Sequence, residues 1–207
     1  MDNHKTIKYA FRMTHINNIP HILKYGIVKS TSPKRSESYT SIGDPQVISA
    51  RKSKIVNNIN IYDCIPFYFG PRTPMLYVIQ NGYNGVVKTT PDKIVYCVVR
   101  LDVLIRDKVE CFFSDGHALN GLTKFYTNEN LPNIDSIISY VDVSAVWWNS
   151  ESDIDLKRRK EAELLLLHDL PIDKVSGFVV YNEEAKRQLM NYGVANNLIV
   201  VKPGYYF

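Results

Sequence analysis

Hydrophobic and polar positions alternate loosely from Ile7 to Ile16, the period of two that marks a half-buried strand. Asn17-Asn18-Ile-Pro20 then supplies a cap and an early-turn proline, Ile22, Leu23 and Ile27 form an apolar stripe, and Gly26 ends the predicted helix. Ser30 to Pro45 is rich in Ser, Thr, Pro and Gly with little apolar content. Loops of that length tend to be functional or disordered. Gln46 to Val56 predicts a short helix carrying Arg51. Ile61 to Gly70 is aromatic and β-prone, but Pro66 cannot donate to a ladder and points to an edge strand or an irregular segment. Pro74 suits the first turn of another helix. Ile94 to Leu101 predicts a buried strand, Val109 to Phe113 a shorter one, and Asp115-Gly116-His117 a turn. Val141 to Trp148 fits no single element. Gly177 to Tyr181 reads as a strand, Glu183 to Tyr192 as a helix stopped by Gly193, and Leu198 to Val201 as a last strand. Strands outnumber helices and the helices crowd the two ends, which is α+β patterning without regular βαβ alternation.

One stretch breaks the pattern. Four consecutive cations, Lys157 to Lys160, run into Glu161 and Glu163 and then into four leucines. The leucine run is too apolar for solvent, so Glu163 sits where polar surface meets core. Such a carboxylate can be desolvated and suited to acid/base or cation-stabilising work. The plainer alternative is a capped element whose charges form a solvated face. A short apolar run bounded by charges suits a helix or a strand, so periodicity leaves that choice open.

Composition narrows the class. The chain has 207 residues, enough for one domain with its own core, and 22% charged residues, which is ordinary for a globular protein. No apolar run approaches a membrane span, and Met-Asp-Asn-His-Lys-Thr lacks the apolar segment of a signal peptide, so a cytoplasmic protein is expected. Three cysteines (Cys64, Cys97, Cys111) without metal-ligand spacing point to reduced core thiols and no metal site. The net charge is only +4, yet between Lys24 and Lys54 seven cations face two carboxylates, and Lys157 to Lys160 form a second basic cluster. Two basic patches suggest a polyanion, either nucleic acid or a phosphate-bearing cofactor. Fourteen tyrosines suit surfaces that stack on ligands. His15 and His21 are badly spaced for a shared metal, and His117, after Asp-Gly, is expected to be exposed. Arg51 lies in a mostly lysine-bearing patch, a hint that a planar fork is required there.

Several segments, in order, resemble the DarT family of DNA ADP-ribosyltransferase toxins. They are Met13-Thr-His-Ile-Asn-Asn-Ile19, Arg51 before a Lys/Ser run, and Ile65-Pro-Phe-Tyr-Phe-Gly-Pro-Arg-Thr-Pro-Met-Leu-Tyr77. Phe113-Ser-Asp-Gly-His117 and Lys157-Arg-Arg-Lys-Glu-Ala-Glu-Leu-Leu165 complete the series. The resemblance spans nearly the whole chain and is most specific between Pro66 and Tyr77.

It implies one DarT-like domain over 1–207 with the ADP-ribosyltransferase fold, a split, strongly bent β-sheet with peripheral helices and NAD in the cleft. It also implies a toxin that transfers ADP-ribose from NAD, consumed as substrate, to a base of single-stranded DNA. A DarG-like macrodomain antitoxin would be its partner, and the enzyme would act as a monomer. Carried over by position, Glu163 rather than Glu161 is the catalytic glutamate and Arg51 the key arginine. Arg12, Met13, Thr14 and His15, with Tyr68 and His117, match NAD-pocket positions. Arg72, Met75, Lys157 and Arg158 fall where the DNA strand lies. One departure concerns the acceptor base. Thymine-modifying members start Tyr-His-Ile-Thr-His, whereas this chain has Phe11-Arg12-Met13-Thr14-His15, and this favours guanine over thymine. The rivals are a nucleic-acid-binding protein on the same fold that has lost catalysis, and a transferase acting on RNA or protein.

Overall fold

The computed structural model describes residues 6–207, so Met1–Lys5, part of the stretch expected to lack a leader, lie outside the described residues. In chain order the strands are β1 (Tyr9–His15), β2 (Ile55–Val56), β3 (Ile59–Asn60), β4 (Ile65–Tyr68) and β5 (Ile94–Arg100), then β6 (Cys111–Ser114), β7 (Phe125–Thr127), β8 (Glu163–Leu166), β9 (Gly177–Val180) and β10 (Ile199–Val201). The helices are α1 (Ile19–Tyr25), α2 (Pro45–Arg51), α3 (Pro74–Asn81), α4 (Leu101–Arg106), α5 (Tyr140–Ser144), α6 (Leu156–Lys160) and α7 (Glu183–Asn191). Eight strands form one sheet in the order β10-β9-β5-β1-β4-β8-β6-β7, with β2 and β3 as a separate hairpin.

The sheet is split at its middle. β1 pairs with β5 from Tyr9↔Arg100 to His15↔Ile94, but it meets β4 at Phe11↔Tyr68 alone. Beyond that point a side chain replaces the ladder, as Arg12 donates from Nη1 to the Pro66 carbonyl at 3.0 Å. In antiparallel pairing a residue's N–H and C=O point to the same edge. The donor that Pro66 lacks therefore faces the split, where no backbone partner was to be had. On its other edge β4 pairs with β8 from Ile65↔Leu166 to Tyr68↔Glu163. The sequence expectation of an edge or irregular segment around Pro66 is thus corrected to an interior strand.

Packing follows the split. On one face a continuous core runs under both halves, joining Ala10, Val95, Cys97, Phe67, Leu164 and Phe113. On the other face there are two smaller clusters. One packs Phe11, Tyr96, Val98 and Val179 against Leu76 and Ile79 of α3, and the other gathers Phe112, Leu165, Cys64 and Ile61. β8 shows the alternation directly, with Leu164 and Leu166 in the continuous core and Leu165 on the opposite face, the face of Glu163.

Other expectations are met or corrected element by element. Gly26 ends α1 with φ +80°, and a Cβ there would lie 2.2 Å from the Leu170 carbonyl oxygen, so only glycine fits. The helix expected over Gln46–Val56 stops at Arg51. Asn57 and Asn58, both at positive φ, instead turn the β2–β3 hairpin. The helices do not crowd the chain ends, because α3, α4 and α5 occupy its middle. Lys157 to Lys160 lie in α6 and do not form a uniformly solvated face, since Lys160 is fully buried. Cys64, Cys97 and Cys111 are buried free thiols.

Candidate active site

Glu163 opens β8 and is held from four directions. Its backbone N–H donates to Ser114 Oγ at 3.2 Å, and β4 pairs Tyr68 opposite it. Oε1 accepts the Ala118 N–H at 3.0 Å, and Oε2 accepts Arg51 Nη1 at 2.8 Å. The carboxylate is fully buried. A turn after β6 supplies the Ala118 donor: Ser114 Oγ donates to the Gly116 carbonyl at 2.7 Å, and the His117 N–H donates to the Arg158 carbonyl at 2.9 Å. A Cβ on Gly116 would lie 2.8 Å from Arg158 Cγ and 2.9 Å from its carbonyl oxygen, so this turn needs glycine to close.

Arg51 comes from the end of α2. That helix is started by Asp44, whose carboxylate accepts the Gln46 and Val47 N–H groups at 2.8 and 3.4 Å, with Pro45 in the first turn. Burial works against the guanidinium charge, but Glu163 outweighs it and holds the Arg51 pKa above the ordinary arginine value. Only one arm is satisfied, since Nη2 is buried without a partner. An unpaired buried donor is costly, so it marks where a ligand acceptor belongs.

The neighbours tune this pair. Burial, then Glu163 and Glu161, push the Tyr68 phenol well above its usual value, so it remains a neutral donor. Burial lowers the His117 pKa even against the pull of Glu163, leaving a neutral imidazole near pH 7. His117 is half-buried, next to the Ala118 N–H that meets Glu163, and is not the exposed turn residue that Asp-Gly suggested. Glu161 is also buried, and burial followed by repulsion from Glu163 raises it to about 8. At neutral pH Glu161 is then mostly protonated. A raised acid disfavours the folded state as pH climbs from the unfolded value near 4.5 to about 8. Glu161→Gln should accordingly raise the thermal midpoint at pH 9 and leave it almost unchanged at pH 4. Equal shifts at both pH values would refute the assignment.

A cavity of about 330 Å³ opens beside Arg51, at the small end of the range for ligand pockets. Arg12, Met13, Arg51, Tyr68 and Met75 line it together with much of the 30–44 loop, whereas Glu163, behind Arg51, does not. The loop is fastened to β1 and the turn after it. Asn18 exchanges hydrogen bonds with the Thr40 backbone at 2.9 Å each way, and its Nδ2 donates to Thr14 Oγ1 at 3.0 Å. Thr14 Oγ1 also lies 3.4 Å from Tyr39 Oη. Thr14 is thus a buried tether of the loop. His15 lies outside the cavity lining, its Nδ1 accepting the Asn17 N–H at 3.1 Å. Its pKa is lowered, first by burial and then by Lys93.

The four residues expected to meet DNA part company. Met75 lines the cavity. Arg72 stacks over the Phe207 ring at 4.6 Å, and its Nε is buried without a partner. Lys157 forms no ion pair among the described residues. Arg158 is committed to Asp155 at 2.7 Å and Asp115 at 2.9 Å, which pins α6 to the turn carrying His117. Arg159 is likewise paired with Asp142 and Asp153, and Lys160 Nζ donates to the Pro71 and Val143 carbonyls. Of the basic run only Lys157 keeps its charge for a ligand. The Ala118 N–H, Ser114 and Asn18 also build this site. Sequence did not single them out, because they act through backbone geometry or across long separations.

The profile of the family described as "ssDNA thymidine ADP-ribosyltransferase, DarT" matches residues 11–207. A DNA ADP-ribosyl transferase of Escherichia coli O127:H6 is 31% identical over 204 residues, covering 95% of this chain and 92% of that protein. A DNA ADP-ribosyl transferase–DNA ADP-ribosyl glycohydrolase fusion protein of Thermosipho africanus is 28% identical over 201 residues, 95% of this chain and 49% of the fusion. Thermus sp. 2.9 DarT solved with ADP-ribosylated ssDNA superposes with a TM-score of 0.83 at 20% identity, covering 99% of this chain and 98% of that one. The same protein solved with NAD+ gives 0.77 at 20% identity, covering 99% and 100%. The split sheet is therefore a shared architecture. With the profile extending over 11–207 and a relative aligned along nearly all its length, the chain belongs to the DarT family of DNA ADP-ribosyltransferases.

Proposed function

We propose that this protein is an NAD-dependent transferase that moves ADP-ribose onto a base of single-stranded DNA, acting as a monomeric, single-domain, cytoplasmic toxin over 1–207. The observation that carries this is the buried Arg51–Glu163 pair at the cavity edge, with one arginine arm open. NAD fits the donor set. The unpaired Nη2 of Arg51 and the remaining donors of Arg12 suit pyrophosphate oxygens, and Tyr68 offers a neutral hydroxyl and an aromatic face.

The chemistry follows from the charges. The nicotinamide–ribose C–N bond breaks with its electron pair leaving on nicotinamide, and positive charge builds on the ribose as in glycoside cleavage. In the ground state the positive charge sits on the nicotinamide ring; cleavage moves it to the ribose, where the Glu163 carboxylate stabilises it more strongly. A ring nitrogen of the base then bonds to the ribose carbon, and its proton leaves to solvent. For Glu163 to meet the ribose, Arg51 must share it or swing aside towards substrate. There it stabilises the base as it loses its proton, a role for fixed charge, since an arginine does not titrate near neutrality. The 30–44 loop, tethered through Asn18 and Thr14, covers the cavity and limits hydrolysis by water. His15 supports the end of β1, while Arg72, Met75 and Lys157 lie along the strand's path.

For the acceptor we propose guanine ahead of thymine, on the Arg12 departure from the thymine-type start. Thymine is the second reading, favoured by the description of the matching family. The fusion of a related transferase to a DNA ADP-ribosyl glycohydrolase supports a partner that removes the mark, in the manner of a DarG-like macrodomain antitoxin. Incubation with NAD and oligonucleotides each containing one base type, read by intact mass, decides the acceptor. Modification of the guanine strand is expected. A mass shift on thymine strands alone would reverse the base assignment, and a shift on RNA or protein alone would overturn the DNA reading.

A further inference from the structure

We propose that the aromatic face around Tyr77 is a second nucleobase site, on which a base neighbouring the modified one stacks; this rests on single-stranded DNA being the acceptor. Two adjacent tryptophans follow α5 and are used differently. Trp148 is buried, whereas Trp147 is 59% exposed. Tyr77 lies at the centre, with ring centroids 5.7 Å from Tyr83, 6.3 Å from Trp147 and 5.2 Å from Phe207. Tyr83 is itself 50% exposed. The base of this platform is fixed, because Gln80 accepts the Phe207 N–H at 3.0 Å and donates to its carbonyl at 3.4 Å. A displayed tryptophan on rigid support, with a tyrosine beside it, is unusual for a surface that binds nothing.

Charge and position identify the occupant. Arg72 lies over the Phe207 ring, and its guanidinium has no hydrogen bond or ion pair among the described residues. A cation at the edge of stacked aromatics is the chemistry that holds a single strand, the cation for phosphate and the rings for bases. The platform also shares α3 with the reaction cavity. Met75 and Ile79, four residues apart on one face, line the cavity, and Tyr77 points from the other side. The two sides of a helix are about 10 Å apart, a span that one or two nucleotides cover. A base on Trp147 would then set the sequence context around the reacting base.

The test is equilibrium binding of labelled oligonucleotides to wild-type protein, Trp147→Ala and Trp147→Phe. Each oligonucleotide carries one guanine, with an abasic residue at each neighbouring position in turn. Trp147→Ala should weaken binding about tenfold, and Trp147→Phe should retain most of it. One abasic position should cost wild type the same factor and cost Trp147→Ala nothing further. Unchanged binding by Trp147→Ala, or penalties that simply multiply, would overturn the platform. Normal binding and coupling with no ADP-ribosylation would instead sink the transferase reading and leave the platform standing.

Discussion

Glu163→Gln should lower ADP-ribosyl transfer by about 10²–10³-fold or more, the loss seen when one group stabilising developing charge is removed. The substitution keeps the volume that fills the site and one oxygen for the Ala118 N–H, but it removes the charge that balances buried Arg51 and turns an NH2 towards its Nη1, so the thermal midpoint should fall as well. Glu163→Ala removes the remaining oxygen and the side-chain volume too, so it should destabilise more than Glu163→Gln. It abolishes transfer and also leaves the Arg51 charge buried without its partner, where breaking such a pair costs about 3–5 kcal/mol. Initial rates of nicotinamide release with DNA present, beside thermal unfolding of both variants, check the pair of expectations. A Gln variant within tenfold of wild type would remove Glu163 from the chemistry.

Arg51→Lys should lose about a hundredfold or more in transfer while remaining folded. Lysine can keep a positive charge against Glu163 Oε2, but it offers one compact head where the guanidinium offers a second arm. That second arm is Nη2, buried and free in this structure. The loss should fall mainly on kcat if the arm meets the base as it gives up its proton, and on the KM for NAD if it holds pyrophosphate. Near-normal turnover by Arg51→Lys would show that charge alone suffices.

Much of this site could be seen in the sequence because local rules reach it. The leucine alternation after Glu163 puts it opposite the continuous core once a strand is granted, and the early-turn proline of α1 stands at its place, although Asn18, expected as the cap, gives its side chain to Thr14 and Thr40 instead. Periodicity alone could not choose strand over helix for that run; its pairing with β4 and β6 does. What stayed hidden depends on partners far along the chain. Pro66 looks like an edge residue until Arg12, from β1, is seen to take its carbonyl across the split. Lys160 looks solvated until the Pro71 and Val143 carbonyls are found around it. His117 looks exposed because Asp-Gly marks a turn, and nothing local reveals that the turn folds inward onto Glu163. Arg158, expected at the DNA, is bound by Asp115 and Asp155, a pairing that one fixed loop geometry creates.

In the proposed reaction the Arg51–Glu163 pair breaks NAD and delivers ADP-ribose to a DNA base. Intact-mass measurement of one single-stranded oligonucleotide, incubated with NAD and either wild-type protein or Glu163→Gln, tests it most directly. Wild type should add one ADP-ribose to the strand, and the variant should leave it unchanged. An unmodified strand with wild type, or equal modification by both proteins, would contradict this reaction.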